Sequence, residues 1–408
     1  MDWSFLIRNK ESLCVTTDSR KVTPGCIFVA LKGEHFDGNA FVEQARRDGA
    51  AYIISGEHAL AELQDLARAW RRELGLPILG ITGTNGKTTT KELCAAVLRT
   101  KYNLYYTQGN LNNQLGVPLT LLSITRAHEM AIVEMGASHP GDIKELVEIA
   151  EPDYGLITNV GRAHLQGFGS FEGVMRTKAE LYDWLVGHKG IIFRNADNPY
   201  LKDMLETSMK TQWPNGSTNE QMGKEKMVNY STGIMPEGTH LVGNYNSENV
   251  QAAVCVGKYF GVEEETALAA IRDYIPSNNR SQFMQTERNQ VVVDAYNANP
   301  TSMTAAIDAF ANSRKPKADS RCYILGAMKE LGEYSHLEHQ NIVNMLLERK
   351  ADKVLLVGDE YKETTAPYPV FDSVDTLCEH LKQEPLAGYY ILLKGSRSNQ
   401  LEKVIPLL

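Results

Sequence analysis

The stretch Thr82-Gly83-Thr84-Asn85-Gly86-Lys87-Thr88-Thr89 lies between a short apolar run, Ile78 to Thr82, and a segment with helical periodicity that begins at Thr88. Glycines let such a loop turn its backbone N–H groups toward one point, and the N-terminus of the following helix adds partial positive charge. Lys87 can reach the outer phosphates of a nucleotide, and the Thr88 hydroxyl can bind magnesium. The stretch therefore predicts a phosphate loop, shortened because Ile81 stands where the usual spacing has glycine. The alternative interpretation is a glycine-rich turn without a ligand.

Strand and helix patterns alternate through the central part of the chain. Apolar runs at Met130–Val133, Tyr154–Val160 and Gly190–Phe193 follow the run before the loop, and helical stretches separate them. Such alternation is typical of a mostly parallel sheet that is covered by helices. The stretch 206–240 is polar and contains Gly, Pro, Asn and Ser, so we assign it as a loop-rich insertion.

Two further units flank this central part. The first residues hold short mixed elements and end at Gly75-Leu76-Pro77, whereas the alternation resumes compactly after Arg280 and indicates a Rossmann-like unit. The sequence thus predicts an α/β protein with a central P-loop-type parallel sheet and a C-terminal Rossmann-like domain. The predicted domains are 1–76, 77–279 and 280–408, with a hinge near 277–282.

The composition excludes several classes of protein. The chain has 408 residues, is 43% hydrophobic and carries 42 Lys and Arg against 50 Asp and Glu, a net charge of −8. This balance argues against disorder and against a basic face that grips nucleic acid. No apolar run approaches the ~18 residues of a membrane span, and the start Met1–Phe5 lacks the pattern of a signal peptide. The six cysteines show no CxxC pair, so we expect buried free thiols and a cytoplasmic protein without nucleic acid partners or membrane insertion.

Two polar residues end or follow predicted strands at positions suited to chemistry, and a third lies within a predicted helix. Glu134 ends an apolar run, and ligands of open parallel sheets bind outside the carboxyl ends of the strands. A carboxylate there can hold magnesium, or it can pair with a neighbouring base. His164 after another strand end is more often structural than a ligand. Lys178, within a helical segment, would alone be interpreted as a solvated charge.

These residues and several ordered blocks resemble the ATP-binding signatures of the Mur ligases, the ATP-dependent amide-forming enzymes of bacterial cell-wall precursor synthesis. The resemblance runs through the whole chain, which makes it more specific than any one motif. The blocks are Asp18–Val22, Thr82–Thr89, Gly109–Pro118, Glu134–Ala137, Asn159–Leu165, Lys178, Asn246 with Asn249, Asp294–Pro300 and Lys394–Arg397.

The resemblance implies an ATP site with two magnesium ions. It places the phosphates on Gly83 to Thr89, one magnesium near Thr88 and Glu134, and a second at Glu134, His164 and Lys178, with Lys178 carbamylated. The implied catalytic residues are Lys87, Glu134, His164 and Lys178. The residues implied around adenine, ribose and phosphates are Asn246, Asn249, Arg280, Asp294 and Tyr296, although each also has a plain structural interpretation as a cap, turn or linker residue.

The resemblance also implies the substrates. Ser19, Arg20, Asp37 and Gly38 are candidates for the uridine diphosphate group. Asn110, Asn112 and Asn113 are candidates for the muramoyl or peptide portion, and Lys394 and Ser396 match residues that close on the site.

Within the family, the blocks are most like the members that join D-alanyl-D-alanine to a UDP-N-acetylmuramoyl tripeptide, and we expect a monomer. The sister enzymes that add the third amino acid commonly carry an Asp-Asn-Pro-Arg motif, whereas Asp197-Asn198-Pro199-Tyr200 lacks the arginine. Third-residue addition is nevertheless the alternative. A folylpolyglutamate-synthetase-like ligase, a P-loop ATPase and a nucleotide-binding scaffold are further alternatives.

Overall fold

The computed structural model describes residues 2–212, 226–277, 279–313 and 320–408, which form three sheets. The first sheet is small and parallel, in the order β1-β2-β3. Short helices accompany it, and a long helix leads out of it. The elements are α1 (Ser4–Ile7), β1 (Val15–Thr16), β2 (Ile27–Val29), α2 (Val42–Arg47), β3 (Tyr52–Ile54) and α3 (Ala59–Leu74).

Helix α3 fixes the first sheet to the central one. Trp70 on this helix is fully buried, and its Nε1 donates to the Ile124 carbonyl at 2.9 Å. Arg71 donates to the Ala150 carbonyl at 3.1 Å and to Asp153 Oδ2 at 2.8 Å. The helix ends at Gly75 in the left-handed conformation, φ 62°, which glycine adopts without steric cost.

The central sheet has six strands in the order β5-β6-β4-β7-β8-β9, and every pairing within it is parallel. Strands β4 and β6 are buried along their whole length, as expected for strands covered by helices on both faces. The strands are β4 (Ile78–Thr82), β5 (Leu104–Tyr106), β6 (Met130–Glu134), β7 (Tyr154–Ile157), β8 (Ile191–Asn195) and β9 (Met227–Tyr230). The predicted parallel sheet is confirmed.

The helices of this part follow the predicted alternation, with one correction. They are α4 (Lys87–Leu98), α5 (Gly116–Leu122), α6 (Asp142–Ala150), α7 (Leu165–Phe168), α8 (Phe171–Gly187), α9 (Pro199–Gln212), α10 (Asn246–Tyr259) and α11 (Glu264–Asp273). The assignment of 206–240 as a loop-rich insertion is wrong at both sides, since α9 continues to Gln212 and β9 adds a sheet edge. Buried Met209 and Tyr230 hold these segments to the core despite their polar composition. Residues 213–225 of that stretch lie outside the described residues.

The third sheet is Rossmann-like with one antiparallel edge. Its order is β10-β11-β15-β12-β13-β14, and only β10 among the described strands runs antiparallel. The elements are β10 (Gln282–Gln285), β11 (Gln290–Asp294), α12 (Pro300–Asn312), β12 (Ser320–Gly326), α13 (Ser335–Glu348), β13 (Lys353–Val357), β14 (Val370–Phe371), α14 (Val374–Gln383) and β15 (Tyr389–Lys394).

The expectation of free thiols is wrong for two cysteines. Cys14 and Cys26 form a disulfide with a Cα–Cα distance of 4.6 Å. The physical reason is the parallel register of β1 and β2, which pairs Val15 with Ile27 and so places the preceding residues side by side. Cys94, Cys255, Cys322 and Cys378 are free. No described helix combines the length and apolar character that crossing a bilayer requires.

We expect Trp70→Ala to lower the free energy of unfolding by about 3–5 kcal/mol, because it empties a large buried volume between α3 and the central sheet. Trp70→Phe keeps most of the ring but leaves the Ile124 carbonyl without its donor, and should cost about 1–3 kcal/mol. Denaturant unfolding measures both. Leu347→Ala, at a side chain 43% exposed, is the control and should stay within about 0.5 kcal/mol. Equal costs for Trp70→Ala and the control would contradict this account of α3.

Candidate active site

A cavity of about 990 Å³ lies outside the carboxyl ends of the central strands, between the central sheet and the C-terminal domain. Its wall includes most of the residues that the sequence singled out. They are Thr84, Asn85, Gly86, Lys87, Thr88, Thr89, Asn110, Asn112, Asn113, Glu134, His164, Asn246, Asn249, Arg280, Asp294, Tyr296 and Lys394. The parallel topology explains the position, since loops that follow neighbouring parallel strands meet at one edge.

Two glycines determine the shape of the loop between β4 and α4. Gly83 has φ 140° and Gly86 has φ 79°, values that side chains rarely adopt. A Cβ atom on Gly86 would lie 2.4 Å from Asn249 Oδ1, and one on Gly83 would lie 2.0 Å from Thr158 Oγ1. Both positions therefore require glycine for backbone conformation and for space.

Lys87 turns its ammonium into this loop. The Nζ atom donates to the Gly83 carbonyl at 2.8 Å and to the Thr84 carbonyl at 2.9 Å. The pKa of Lys87 is lowered to about 8, chiefly by desolvation; Glu134 opposes the shift and the nearby Arg280 guanidinium adds to it. A cation that is costly to desolvate is suited to an anionic partner such as a phosphate.

The residues that follow strand β7 hold the phosphate loop in place by hydrogen bonds. Thr158 Oγ1 donates to the Asn85 carbonyl at 2.6 Å, and Asn159 Oδ1 accepts from the Asn85 N–H at 3.0 Å. Asn159 Nδ2 also donates to the Asn85 carbonyl, at 3.1 Å. Sequence reasoning did not assign this role to Thr158 and Asn159, although the pairing of β4 with β7 brings them beside the loop.

Glu134 presents a carboxylate oxygen beside the loop. Its Oε1 accepts from Thr88 Oγ1 at 3.2 Å and from Asn112 Nδ2 at 2.8 Å. Its Oε2 is buried and has no hydrogen-bond partner. A hydroxyl and a buried carboxylate are the hard oxygen ligands that Mg²⁺ prefers, together with the phosphates of a substrate. The residues at this point therefore fit a magnesium ion.

Lys91 is a site residue that the sequence did not reveal. It lies one turn after Lys87 on α4, is fully buried, and its Nζ is 3.6 Å from Glu134 Oε2 and 3.2 Å from Glu92 Oε1. Its ammonium also lies 5.6 Å from the centre of the Tyr106 ring. In sequence it resembles any exposed helical lysine, and only the packing of α4 under Glu134 shows otherwise.

His164 and Lys178 come together against one aromatic side chain. The Lys178 ammonium is 5.6 Å from the centre of the Phe168 ring, and the centre of the His164 ring is 6.2 Å from the centre of the same Phe168 ring. Burial lowers the pKa of Lys178 well below its usual range, and the charge of Lys87 adds to the shift. Desolvation also lowers the pKa of His164, whereas Glu330, whose carboxylate contacts His164 Nδ1, opposes this.

Lys178 lies behind the wall of the cavity and not on it. Across the described ranges, no group of three or more His, Cys, Asp or Glu side chains is placed to hold a metal ion by itself. Any cation at His164 and Lys178 would therefore need ligands from a bound substrate or from a modified lysine.

The opposite wall of the cavity comes from the C-terminal domain. The Arg280 guanidinium lies 3.8 Å from the Tyr296 ring centre, close enough for a cation–π contact. Lys394 Nζ forms an ion pair with Asp294 Oδ2 at 2.7 Å, and the Ser281 N–H donates to Asp294 Oδ1 at 3.2 Å. This wall offers an aromatic face, a guanidinium and a paired ammonium to the loop opposite.

Asn246 and Asn249 lie between the two walls and connect helix α10 to helix α4, which follows the phosphate loop. Asn249 Nδ2 donates to Asn246 Oδ1 at 2.9 Å, and Asn249 Oδ1 accepts from Thr90 Oγ1 at 3.0 Å. Asn246 Nδ2 donates to the Val242 carbonyl at 2.8 Å. Their amides thus tie α10 to α4 directly under Gly86.

Seven of the predicted site residues are not on the cavity wall. Arg20 binds Asp18, and Asp37 caps the turn after it by accepting from the Asn39 N–H at 2.9 Å. Gly38 has no room for a side chain, since a Cβ would lie 2.6 Å from the Leu31 carbonyl. The residues outside the wall are Gly83, Lys178, Ser19, Arg20, Asp37, Gly38 and Ser396, the last of which accepts from the Lys329 N–H at 3.2 Å.

Comparison with known proteins agrees with the geometry. Residues 81–257 match the Mur ligase middle domain, 279–397 the Mur ligase glutamate ligase domain, and 13–96 the Mur ligase family catalytic domain. The chain is 33% identical to the UDP-N-acetylmuramoyl-tripeptide–D-alanyl-D-alanine ligase of Bacillus subtilis, over 96% of this chain and 92% of that one. The enzyme of the same name from Escherichia coli is 33% identical over 97% and 93%.

A solved structure with a nucleotide has the same fold. The MurF ligase from Thermotoga maritima in complex with ADP matches with a TM-score of 0.82 at 26% identity, covering 98% of each chain. Crystal structure I of MurF from Acinetobacter baumannii matches with a TM-score of 0.80 at 27% identity, covering 96% of this chain and 92% of that one.

The fold and site are those of an ATP-dependent amide ligase, and the chain belongs to the Mur ligase family. Within that family, its full-length relatives above 30% identity include the D-alanyl-D-alanine-adding enzymes of Bacillus subtilis and Escherichia coli.

Gly86→Ala tests the loop. We expect it to weaken the affinity for a non-hydrolysable ATP analogue by about tenfold or more, because the loop must shift away from Asn249 and leave its left-handed conformation. Gly75→Ala is the matched control, since Gly75 also has a positive φ but has no atom within 4 Å of its Cβ position. The control should lose about 1–2 kcal/mol of stability and keep its nucleotide affinity. Isothermal titration calorimetry and thermal unfolding give both quantities.

Lys91→Met tests the buried ion pair. Because it leaves the Glu134 carboxylate buried without its counter-charge, we expect a loss of about 3–5 kcal/mol in the free energy of unfolding. The double variant Lys91→Met/Glu134→Gln removes both charges and should be clearly more stable than the single variant. Urea unfolding without added metal measures both. A double variant whose loss equals the sum of the two single losses would show that the two side chains do not interact.

Proposed function

We propose that this protein joins D-alanyl-D-alanine to a UDP-N-acetylmuramoyl tripeptide through an acyl phosphate, as a step of peptidoglycan precursor synthesis in the cytoplasm. The observation that supports this most is one cavity that holds the phosphate loop and Glu134 on one wall and Arg280, Asp294 and Tyr296 on the other. Such a site can bind a nucleotide across two domains and leave space at Asn110 and Asn112 for an acceptor peptide.

The reaction we infer has two balanced steps. An oxygen of the tripeptide's terminal carboxylate bonds to the γ-phosphorus of ATP as the bond to the β-phosphate bridging oxygen breaks, which gives an acyl phosphate and ADP. The neutral amine of the dipeptide then bonds to the acyl carbon, inorganic phosphate leaves, and the amine's extra proton is lost. The product is an amide.

Lys87 has the main electrostatic role in the first step. Two anions, the carboxylate and the triphosphate, must approach each other, and an ammonium inside the phosphate loop reduces their repulsion. In the structure this ammonium donates to the carbonyls of Gly83 and Thr84. Bound phosphate oxygens would replace these carbonyls as acceptors, and the pKa of Lys87 would then rise from about 8 because an anion favours the charged form.

Thr88 and Glu134 are the residues we assign to a first magnesium ion, and Glu134, His164 and Lys178 to a second. When bound, magnesium supplies charge neutralisation to the transferring phosphoryl group. Asn112 orients the Glu134 carboxylate by its 2.8 Å hydrogen bond to Oε1. Oε2 has no hydrogen-bond partner and lies 3.6 Å from Lys91 Nζ, so a bound cation would share this oxygen with the Lys91 ammonium.

Lys178 is suited to carbamylation. Its amine is buried, and desolvation moves its pKa well below the usual range, so a larger fraction is neutral and nucleophilic near neutral pH. Addition of carbon dioxide to the neutral amine forms an N–C bond and releases one proton, which leaves a carboxylate at the end of the side chain. Phe168 lies beside both Lys178 and His164, which supports a carbamate close to the imidazole.

The uridine diphosphate end of the substrate belongs, in this proposal, on the N-terminal domain. Ser19, Arg20, Asp37 and Gly38 lie outside the cavity wall, which agrees with a long substrate that spans from the first sheet to the phosphate loop. The Arg20 side chain is 86% exposed and held by Asp18, so its guanidinium is available to a diphosphate. We expect the active unit to be a monomer.

The decisive experiment is product formation from ATP, UDP-N-acetylmuramoyl tripeptide and D-alanyl-D-alanine, followed by mass spectrometry and phosphate release. We expect one amide and one phosphate per ATP, with little ATP hydrolysis unless both substrates are present. Single amino acids offered with the UDP-muramoyl dipeptide are the control. Product from those, and none from the dipeptide acceptor, would identify the third-residue ligase instead. ATP hydrolysis that neither acceptor changes would indicate an ATPase.

Lys178→Ala tests the carbamate. We expect ligase activity to fall by about 100-fold or more, since a ligand of a magnesium ion is lost, and to recover in part with added acetate or propionate. Arg176→Ala, on the exposed side of the same helix α8, is the control and should keep full activity without any response to these acids. Loss of activity without any rescue by short acids, in a variant that unfolds at the wild-type temperature, would oppose the carbamate assignment.

A further inference from the structure

The phosphate loop makes one reciprocal side-chain contact with the C-terminal domain. Asn299 Nδ2 donates to Asn85 Oδ1 at 2.8 Å, and Asn85 Nδ2 lies 3.4 Å from Asn299 Oδ1. Asn85 is at the centre of the loop, and Asn299 is the residue before helix α12, so the pair joins positions 214 residues apart. Asn299 is only 7% exposed although it lies at a domain boundary.

Both asparagines are held independently of each other. The Asn85 backbone is fixed by Thr158 and Asn159, as described above, and in the described ranges its side-chain amide has no hydrogen-bond partner except Asn299. Asn299 caps α12, since its Oδ1 accepts from the Ser302 N–H at 2.9 Å and its N–H donates to Ser302 Oγ at 3.1 Å. The Asn299 amide and the Asn85 backbone are therefore already positioned when the two domains meet, and the Asn85 side chain gains its partner only then.

Further polar contacts lie beside this pair, at the boundary between the central and C-terminal domains. The Arg162 N–H donates to Thr301 Oγ1 at 3.0 Å, and Gly161 approaches Thr301 so closely that a Cβ would lie 2.7 Å from its hydroxyl. Thr84 Oγ1 in turn accepts from the Gly161 N–H at 3.0 Å. The first turn of α12 thus lies on the loop itself and on the segment that supports the loop.

We propose that Asn85 and Asn299 are positioning residues whose paired amides couple the conformation of the phosphate loop to closure of the C-terminal domain. The pair can form only when the loop has the shape that holds phosphates and when α12 lies over it. Because the cavity wall is completed by Arg280, Asp294 and Tyr296 of the closing domain, nucleotide affinity depends on the fraction of molecules that are closed. This inference rests on the proposed use of the loop for ATP but not on the identity of the acceptor.

A double-mutant cycle tests the coupling. Asn299→Ser keeps a side chain that can cap α12 but is too short to reach Asn85, and Asn85→Ala removes the partner while leaving the backbone contacts of Thr158 and Asn159. We expect each single variant to weaken the affinity for adenylyl imidodiphosphate with Mg²⁺ by about three- to tenfold. The double variant should be about as weak as the weaker single variant, and not weaker by the product of the two factors.

Closure of the C-terminal domain can be measured directly. If Asn85 and Asn299 only stabilised the fold, their substitution would not change this measurement. We expect the radius of gyration from small-angle X-ray scattering, with the analogue at saturation, to be larger for each variant than for the wild type. Asn312→Ser, the same exchange at the exposed last residue of α12, is the control for affinity and for scattering. Asn299→Asp, which keeps the cap and lacks the donor, provides a second test and should behave like Asn299→Ser in both measurements.

The outcomes separate this inference from the proposed function. A wild-type protein that does not bind the analogue overturns the proposed ATP site. A wild type that binds, with single effects that multiply in the double variant or with unchanged scattering, overturns the coupling and leaves the ligase assignment intact. Two results together support the coupling. The variants melt at temperatures near that of Asn312→Ser, and the losses of affinity in the two single variants do not multiply in the double variant.

Discussion

The parallel register of β6, β4 and β7 is the constraint on which the site depends. It pairs Ile81 with Glu134 and Thr82 with Ile157, so the phosphate loop, the carboxylate and the Thr158-Asn159 support leave the sheet at one edge. A slip of one residue would turn Glu134 to the opposite face of its strand. The buried apolar side chains along β4 and β6 fix that register, and thus the core of the sheet determines the chemistry at its edge.

The electrostatics of the site favour an anionic ligand. Lys91 lies 3.6 Å from the buried Glu134 carboxylate, Lys87 is close enough to feel both Glu134 and Arg280, and desolvation lowers the pKa of Lys87 and of Lys178. For a lysine whose folded pKa is about 8 against 10.5 in the unfolded chain, the unfolded state binds more protons between those values, so stability rises with pH across that window. At pH values below this window, keeping the buried lysines protonated lowers the stability of the folded protein. A bound polyphosphate offsets this loss. The fold therefore gives up some stability to prepare the site.

The sequence predicts those parts of the site that a short segment encodes. Loop residues 82–89 are contiguous and lie between a strand and a helix, so glycine positions and the lysine were sufficient to locate them. Lys91 could not be predicted, because an isolated lysine on a helix gives no sign that Glu134 lies 3.6 Å away. The Asn85–Asn299 pair, the Cys14–Cys26 bond and the antiparallel strand β10 depend on which distant segments meet, and no local pattern reports that.

The two outer domains are attached to the central one by different kinds of contact. One apolar cluster contains Trp3, Ile27 and Trp70 of the first domain together with Val117 and Leu121 of the central one, so moving the first domain would expose buried carbon. In the C-terminal domain, the buried members of both large clusters come from residues 291–408 alone. Its described polar contacts with the central domain include the Asn299–Asn85 amides, the Thr301 hydroxyl and the ion pair of Arg162 with Glu338. Polar contacts exchange with water at little net cost, whereas apolar surface does not. The domain that carries Arg280 and Tyr296 is therefore the one that can open to admit a nucleotide, while the first domain keeps a fixed distance from the phosphate loop.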